Sequence, residues 1–265
     1  MKNILIISVF LTFFQFYAQD NIHSYFDSAG VLGSITIYDY QKEQWYYSDS
    51  LDAQKSTLPA STFKIINSLI ALDNEVIIDE NEILKWDGKI HKFQNEPVEV
   101  WNQDTNLKGA FKNSTIWFYV EIAKCLGREK YKSILKECNY GNGDFTEKGV
   151  DFWNYGNFAI TPQNQIEFLI RLYEENLPFT YKTIKTVKQI MITESTSEYC
   201  IRSKSGWTTK DAKDIGWWIG YIEKQEDIYF FATRLQKNEA KEIPEFGQLR
   251  EKITRKILFD LEILN

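Results

Sequence analysis

Ser61 and Lys64 stand three residues apart in PASTFKIINSLIALD (59–73), a segment that is otherwise mostly apolar. In an α-helix that separation is about 300° of rotation, so the two side chains share one face a turn apart. Near a helix start Ser61 feels the positive end of the macrodipole, which favours negative charge developing at its oxygen. An amine set among Phe63, Ile65 and Ile66 has its charged form disfavoured, so its pKa should fall. A neutral amine beside a hydroxyl can act as a base or react further itself. An N-cap serine followed by a lysine whose amine reaches solvent meets the same spacing, and S-x-x-K alone does not choose between the two.

A second group, Lys204-Ser205-Gly206, ends the strand-like segment EYCIRSKSG (198–206). On an edge strand facing a serine, such a trio suits a substrate carboxylate. The ammonium supplies charge, the hydroxyl a donor, and glycine lets a substrate backbone approach. Other chemistries lack their parts. With three cysteines (Cys125, Cys138, Cys200) and two histidines (His23, His91) there is no C-x-x-C and no H-E-x-x-H, hence no ligand set for zinc. A Ser-His-Asp triad would need His23, beside the N-terminal apolar stretch, or His91, in the polar WDGKIHKFQNEP. Both read as surface histidines. The cysteines read as buried, reduced side chains, and a Cys125–Cys138 bridge has no support in the spacing.

The elements that must position these groups follow from periodicity. GSITIYDYQKEQWYYS (33–48) alternates around a polar QKEQ and reads as a β-hairpin. Helices are expected over 61–73, 112–126, 128–138, 161–175 and 181–192. The fourth starts with Thr161 as N-cap and Pro162 at the first helical position. Strands return at 198–206, GWWIGYIEK (216–224) and DIYFFATRLQ (227–236), the last two joined by a short QE turn. A closing amphipathic helix over about 247–263 places Leu249, Ile253, Ile257, Leu258 and Leu261 on one face. Strands at both ends around a helical block predict a mixed α/β (α+β) fold with one antiparallel sheet built from both termini. A helical lobe of about 61–195 is then inserted into a sheet lobe of about 25–60 and 196–265, with a cleft for a small molecule between them.

The 265 residues, 43% hydrophobic and 26% charged, fit an ordinary globular chain able to bury a full core. The net charge of -6, with no block of like charge, disfavours a nucleic-acid partner. Lys2, the apolar run at 4–14 and the small Ala18 read as a secretory signal over 1–18, leaving one catalytic domain over 19–265. The run is too short to span a bilayer, and no cysteine follows Ala18 to carry a lipid anchor. The protein is therefore expected to be exported, without a stable membrane anchor, as a monomer or homodimer.

In order along the chain, the motifs resemble those of the penicillin-recognising serine enzymes, and among them the class D (oxacillinase-type) β-lactamases. Ser61-Thr62-Phe63-Lys64 has the form typical of that class. Ser114-Thr115-Ile116 sits at its Ser-x-Val, Tyr140-Gly141-Asn142 at its Tyr-Gly-Asn, and Asp151-Phe152-Trp153 at its Phe-Trp segment. Lys204-Ser205-Gly206 follows, and Arg250 falls where a carboxylate-binding arginine is expected. A second Tyr-Gly-Asn, 155–157, lies after the Phe-Trp pair and does not fit the order. The resemblance covers about residues 25–262 and implies a β-lactamase/penicillin-binding transpeptidase-like fold.

It further implies Ser61 as nucleophile and Lys64 as general base after CO2 converts it to N6-carboxylysine. No other cofactor and no metal are implied. Trp153 would hold the carbamate through its indole N–H, and Ser114 would relay a proton to the departing nitrogen. The Ser61 and Trp207 amides would form an oxyanion hole, and Lys204, Ser205, Gly206 and Arg250 would hold the substrate carboxylate. Trp101 is expected as a wall against the substrate side chain, and Ile116 beside the lysine pocket. Two positions depart from the family: Ile116 stands for valine, and Asn154 for the leucine after Trp153. Penicillin hydrolysis is the implied activity. The competing readings are a β-lactam sensor domain that is acylated without efficient turnover, and a cell-wall peptidase, for which the usual Ser-x-Asn is missing.

Overall fold

Large apolar side chains stand at consecutive positions in 216–224, more than a strand with one wet face can bury. A computed structural model, which describes residues 22–264, shows both faces covered. Trp217, Ile219 and Tyr221 pack into one core cluster with the helical segments, while Trp218 and Ile222 pack into a second with the C-terminal helix. The strand is β9 (Lys213–Lys224) of a six-stranded sheet with order β2-β1-β10-β9-β8-β7. Its partners are β1 (Leu32–Asp39), β2 (Gln44–Tyr47), β7 (Ile192–Ser195), β8 (Tyr199–Lys210) and β10 (Asp227–Asn238). Every pairing is antiparallel. Both expected hairpins are present, and Glu43 and Gln225 take the left-handed conformations their tight turns need. The mixed α/β class and the antiparallel sheet from both ends of the chain are as the sequence predicts.

One face of the sheet carries α2 (Lys64–Asp73), α3 (Leu107–Lys112), α4 (Ile116–Leu126), α5 (Arg128–Glu137), α6 (Pro162–Tyr173) and α7 (Tyr181–Ile190). A short helix over 22–28 (α1) and α8 (Phe246–Asp260) cover the other. α6 starts as expected, with Thr161 Oγ1 accepting from the Asn164 amide at 3.0 Å and Pro162 at the first position. Between α2 and α3 the chain makes two minimal ladders that the sequence did not announce. They are β3 (Ile83–Leu84) with β6 (Thr105–Asn106), and the hairpin of β4 (Lys92–Phe93) and β5 (Glu96–Pro97).

Five expectations need correction. The helix expected from 112 starts at 116, because Ser114 adopts a left-handed φ of 57° and breaks the chain between α3 and α4. The helix expected from 61 starts at Lys64, because Ser61 lies in a 3-10 turn, Ala60–Phe63, that precedes it. Leu261 is exposed because α8 stops one residue earlier, and Ile263 and Leu264 fold back into the core instead. Of the cysteines only Cys138 is buried; Cys125 is exposed, Cys200 is half-buried in β8, and all three are free thiols. His23 is exposed, whereas His91 is half-buried and stacks on Trp117. Residues 1–18, where the signal is expected, lie outside the described part.

Candidate active site

Pro59 and Ala60 set up the turn that carries Ser61. Ala60 has φ 51°, a left-handed conformation that costs a non-glycine residue about 1–2 kcal/mol. It is fastened there by its amide, which donates to the Trp153 carbonyl at 3.0 Å. Thr62 Oγ1 donates to the Pro59 carbonyl and accepts from Gln165 Nε2, both at 2.8 Å. Ser61 keeps 8% of its surface exposed at the end of this braced turn.

Lys64 is fully buried, with Phe63, Ile65 and Ile66 about it in the sequence fully buried as well. Its Nζ donates to Ser61 Oγ at 2.8 Å, and burial pulls its pKa down to about 7. Tyr119, one turn into α4, presents its ring face 5.1 Å from that nitrogen, a contact that favours the ammonium but does not outweigh the loss of water. Trp153 is also fully buried and lies flat on Phe63, with ring centroids 4.9 Å apart and planes 7° from parallel. The phenylalanine of Ser-Thr-Phe-Lys thus fixes the indole. The indole N–H has no hydrogen-bond partner, an uncommon state for a buried donor.

The left-handed turn at 113–115 brings Ser114 opposite β8, where its Oγ accepts from Lys204 Nζ at 2.7 Å. Lys204 Nζ also donates to the Ser205 carbonyl at 3.0 Å. The pKa of Lys204 falls well below its ordinary value, first through burial and then through repulsion by Lys64 and Arg250. Arg250 is lowered to about 10 by burial, and its Nη1 donates to the Gly206 carbonyl at 2.7 Å. Three basic side chains, Lys64, Lys204 and Arg250, are therefore grouped around Lys204, and among the described residues none has a carboxylate within salt-bridge reach. Such a cluster is relieved by an anion arriving from outside.

β8 is an edge strand only where it matters. β7 pairs with it no further than Arg202, so Lys204 to Trp207 present an open edge, with Ser205 and Trp207 half-buried along it. Gly206 has a different task from the expected one. A Cβ there would lie 2.9 Å from the Pro59 carbonyl and 3.2 Å from the Ser61 amide, so glycine lets the strand itself close on the nucleophile turn.

Ile116, Asn154 and Trp207 are among the residues lining a cleft of about 880 Å³, whose walls include neither Ser61 nor Lys204. Trp101 is not in its walls: it is 6% exposed, and its Nε1 donates to the Asn113 carbonyl at 2.7 Å, bracing the Ser114 turn. The aromatic wall is Phe93 of β4, 5.3 Å from Trp207, which in turn packs 5.1 Å from Phe246. The sequence reading missed Tyr119, Gln165 and Phe93. Only Tyr119 left a signal, since i,i+3 spacing places it on the Ile116 face of α4. His91 pairs with Asp87 at 3.2 Å. The two Tyr-Gly-Asn segments meet, with Asn142 Nδ2 donating to the Asn157 carbonyl at 2.9 Å.

Comparison with known proteins agrees with this arrangement. The penicillin binding protein transpeptidase domain family matches residues 28–258. A class D β-lactamase structure from Sebaldella termitidis superposes with a TM-score of 0.87 at 44% identity, over 92% of this chain and 97% of that one. The chain belongs to the class D β-lactamases. Another structure of that class, from Nostoc, gives a TM-score of 0.85 at 40% identity, covering 92% and 99%. Among curated proteins, beta-lactamase OXA-48 of Klebsiella pneumoniae is 35% identical over 232 residues, which is 88% of this chain and 84% of that protein. As in the resemblance read from the motifs, this class D β-lactamase has the fold of the penicillin-binding transpeptidases. Among the described residues, no group of histidine, cysteine and carboxylate side chains could hold a metal ion, and no helix is long and apolar enough to cross a membrane.

Proposed function

We propose that this class D β-lactamase hydrolyses the amide bond of penicillin-type antibiotics through an acyl-enzyme on Ser61, and so confers resistance to them. The observation that carries the mechanism is the fully buried Lys64 Nζ, 2.8 Å from Ser61 Oγ, with a pKa near 7. A large neutral fraction at physiological pH suits this amine for adding CO2. The orphaned Trp153 N–H fits an anionic oxygen on that nitrogen, and the Lys204–Arg250 pair favours negative charge nearby. The carbamate, once formed, supplies an anionic base for both halves of the reaction.

In acylation Ser61 Oγ attacks the lactam carbonyl carbon while its proton leaves towards the Lys64 side. The Ser61 and Trp207 amides are placed in this reading to receive the developing oxyanion, each worth about 3 kcal/mol. As the lactam C–N bond breaks, the nitrogen takes a proton by way of Ser114, whose Oγ already accepts from Lys204. Lys204, Ser205 and Arg250 hold the substrate carboxylate. In deacylation water attacks the ester carbonyl, its proton goes to the Lys64 side and on to Ser61 Oγ as the acyl C–O bond breaks, and Ser61 is released with the opened product. Export is inferred from Lys2 and the apolar run at 4–14.

The test is hydrolysis of a chromogenic cephalosporin with and without added bicarbonate, on the wild type and on Lys64→Ala. Turnover that bicarbonate raises and the variant lacks is expected. Stoichiometric acylation without turnover would favour the receptor reading instead, which no observation on this chain supports.

A further inference from the structure

Two aromatic side chains near Lys64 favour opposite charges. Trp153, stacked on Phe63, keeps a buried N–H without a partner, which suits an anion. Tyr119 does the reverse, because Lys64 Nζ lies over its ring at 5.1 Å from the centroid. The face of an aromatic ring is the negative pole of its quadrupole, so it attracts an ammonium and repels a carboxylate.

Tyr119 is held so that it cannot turn that face away. It is fully buried, its ring meets Phe118 edge to face at 5.5 Å, and its hydroxyl lies 3.0 Å from Ser68 Oγ. Ser68 donates its own hydrogen to the Lys64 carbonyl at 2.7 Å, so the phenol must be the donor in the Tyr119–Ser68 bond. The side chain therefore reaches from the first turn of α4 to Ser68, one turn beyond Lys64 in α2, and is fastened at both ends. Burial pushes the phenol well above its ordinary pKa, so the ring stays neutral. Lys204 of β8 is the charged side chain facing Lys64, and their mutual repulsion works against the ammonium. Apart from the Ser61 hydroxyl, the Tyr119 face is thus the contact among the described residues that retains positive charge on this nitrogen.

We propose that Tyr119 sets the bicarbonate demand of the enzyme: its ring face favours the ammonium of Lys64 over the carbamate, so that CO2 is held reversibly and activity follows its supply. The proposal rests on the carbamate reading of Lys64 given above. In the uptake step the lone pair of the neutral amine forms an N–C bond to CO2, one C=O electron pair moves onto oxygen, and the nitrogen sheds a proton to solvent. The Tyr119 face opposes this step twice, since the cation it attracts must first lose a proton and the group then formed is an anion. Tyr119 is a positioning residue: it is fully buried, meets no substrate, and acts through the charge of Lys64.

The experiment titrates labelled bicarbonate into the full chain and reads the protein-bound carbamate carbon by carbon-13 NMR, independently of turnover. Wild type is compared with Tyr119→Phe, with 3,4,5-trifluorophenylalanine at position 119, and with Tyr119→Leu. The plain and fluorinated rings share a shape, but fluorine drains the negative face. At pH 6.5 the half-saturating bicarbonate concentration should stay within about twofold of wild type in Tyr119→Phe and fall about tenfold in the trifluoro and leucine variants. At pH 9 the fall should shrink, because Lys64 is then already a neutral amine and only repulsion of the anion is left to relieve. A merely structural role for Tyr119 would leave the plain and fluorinated rings alike. Thermal melts identify a leucine variant that fails to fold, and the fluorinated pair decides the question without it. A half-saturation that fluorination leaves unchanged or raises would overturn the proposal alone. Full turnover by wild type with no carbamate carbon would sink both the proposal and the carbamate reading.

Discussion

Lys64→Met is a revealing single change, because a residue that performs the chemistry should also weaken the fold. A fall from the ordinary 10.5 to about 7, at about 1.4 kcal/mol per unit, puts the cost of holding this ammonium in the folded core near 5 kcal/mol. Losing the bond to Ser61 Oγ offsets about 1 kcal/mol of that. Methionine has a similar length and no charge to desolvate, so Lys64→Met should be the more stable protein by about 4 kcal/mol at pH 6. The sign with pH is fixed by linkage. Between pH 7 and 10.5 the unfolded chain binds a proton at Lys64 that the folded chain has released, so wild-type stability rises with pH across that window. The advantage of the variant is therefore full below pH 7 and fades towards pH 10.5. Urea unfolding at pH 6, 8 and 10 in CO2-free buffer measures it. A variant no more stable than wild type at pH 6, or a difference that ignores pH, would refute the reasoning that burial strips this amine of its proton.

Other consequences are more local. Trp153→Phe keeps the stack on Phe63 but removes the indole N–H, so the bicarbonate concentration giving half-maximal activity should rise by at least about tenfold. Gly206→Ala forces a Cβ against the Pro59 carbonyl and the Ser61 amide; a loss of about 1–3 kcal/mol in stability and a fall in acylation rate are expected from melts and burst kinetics. At limiting bicarbonate the activity should drop on the acid side of about pH 7, where Lys64 is an ammonium and cannot add CO2, and excess bicarbonate should move that limb to lower pH. Ser114→Ala removes one of the two acceptors of Lys204 Nζ and should slow acylation more than deacylation, as read by pre-steady-state bursts.

What could be read in the sequence was whatever is set by local period and motif order. Strands with alternating or doubly apolar patterns, the Thr161-Pro162 helix start and the S-x-x-K spacing all survive folding because neighbouring residues determine them. What was hidden depends on distant partners. Nothing near Gly206 in the chain reveals that Pro59 and Ser61 will lie against it, and nothing near Phe93 shows that a two-residue ladder will place it on Trp207. Ser114 looked like the interior of one long helix, because its left-handed turn depends on the contact with Lys204 and on the Trp101 bond to Asn113. The role of Phe63 was masked by its fit to an apolar stripe, which says that it is buried but not that Trp153 will stack on it.

The proposed mechanism stands on an anionic carbamate at Lys64, facing Ser61. Carbon-13 NMR of the protein in labelled bicarbonate tests it directly. One protein-bound carbamate carbon is expected, with an intensity that follows activity as bicarbonate is titrated and that is absent from Lys64→Met. Full turnover in CO2-free buffer without that signal would contradict it.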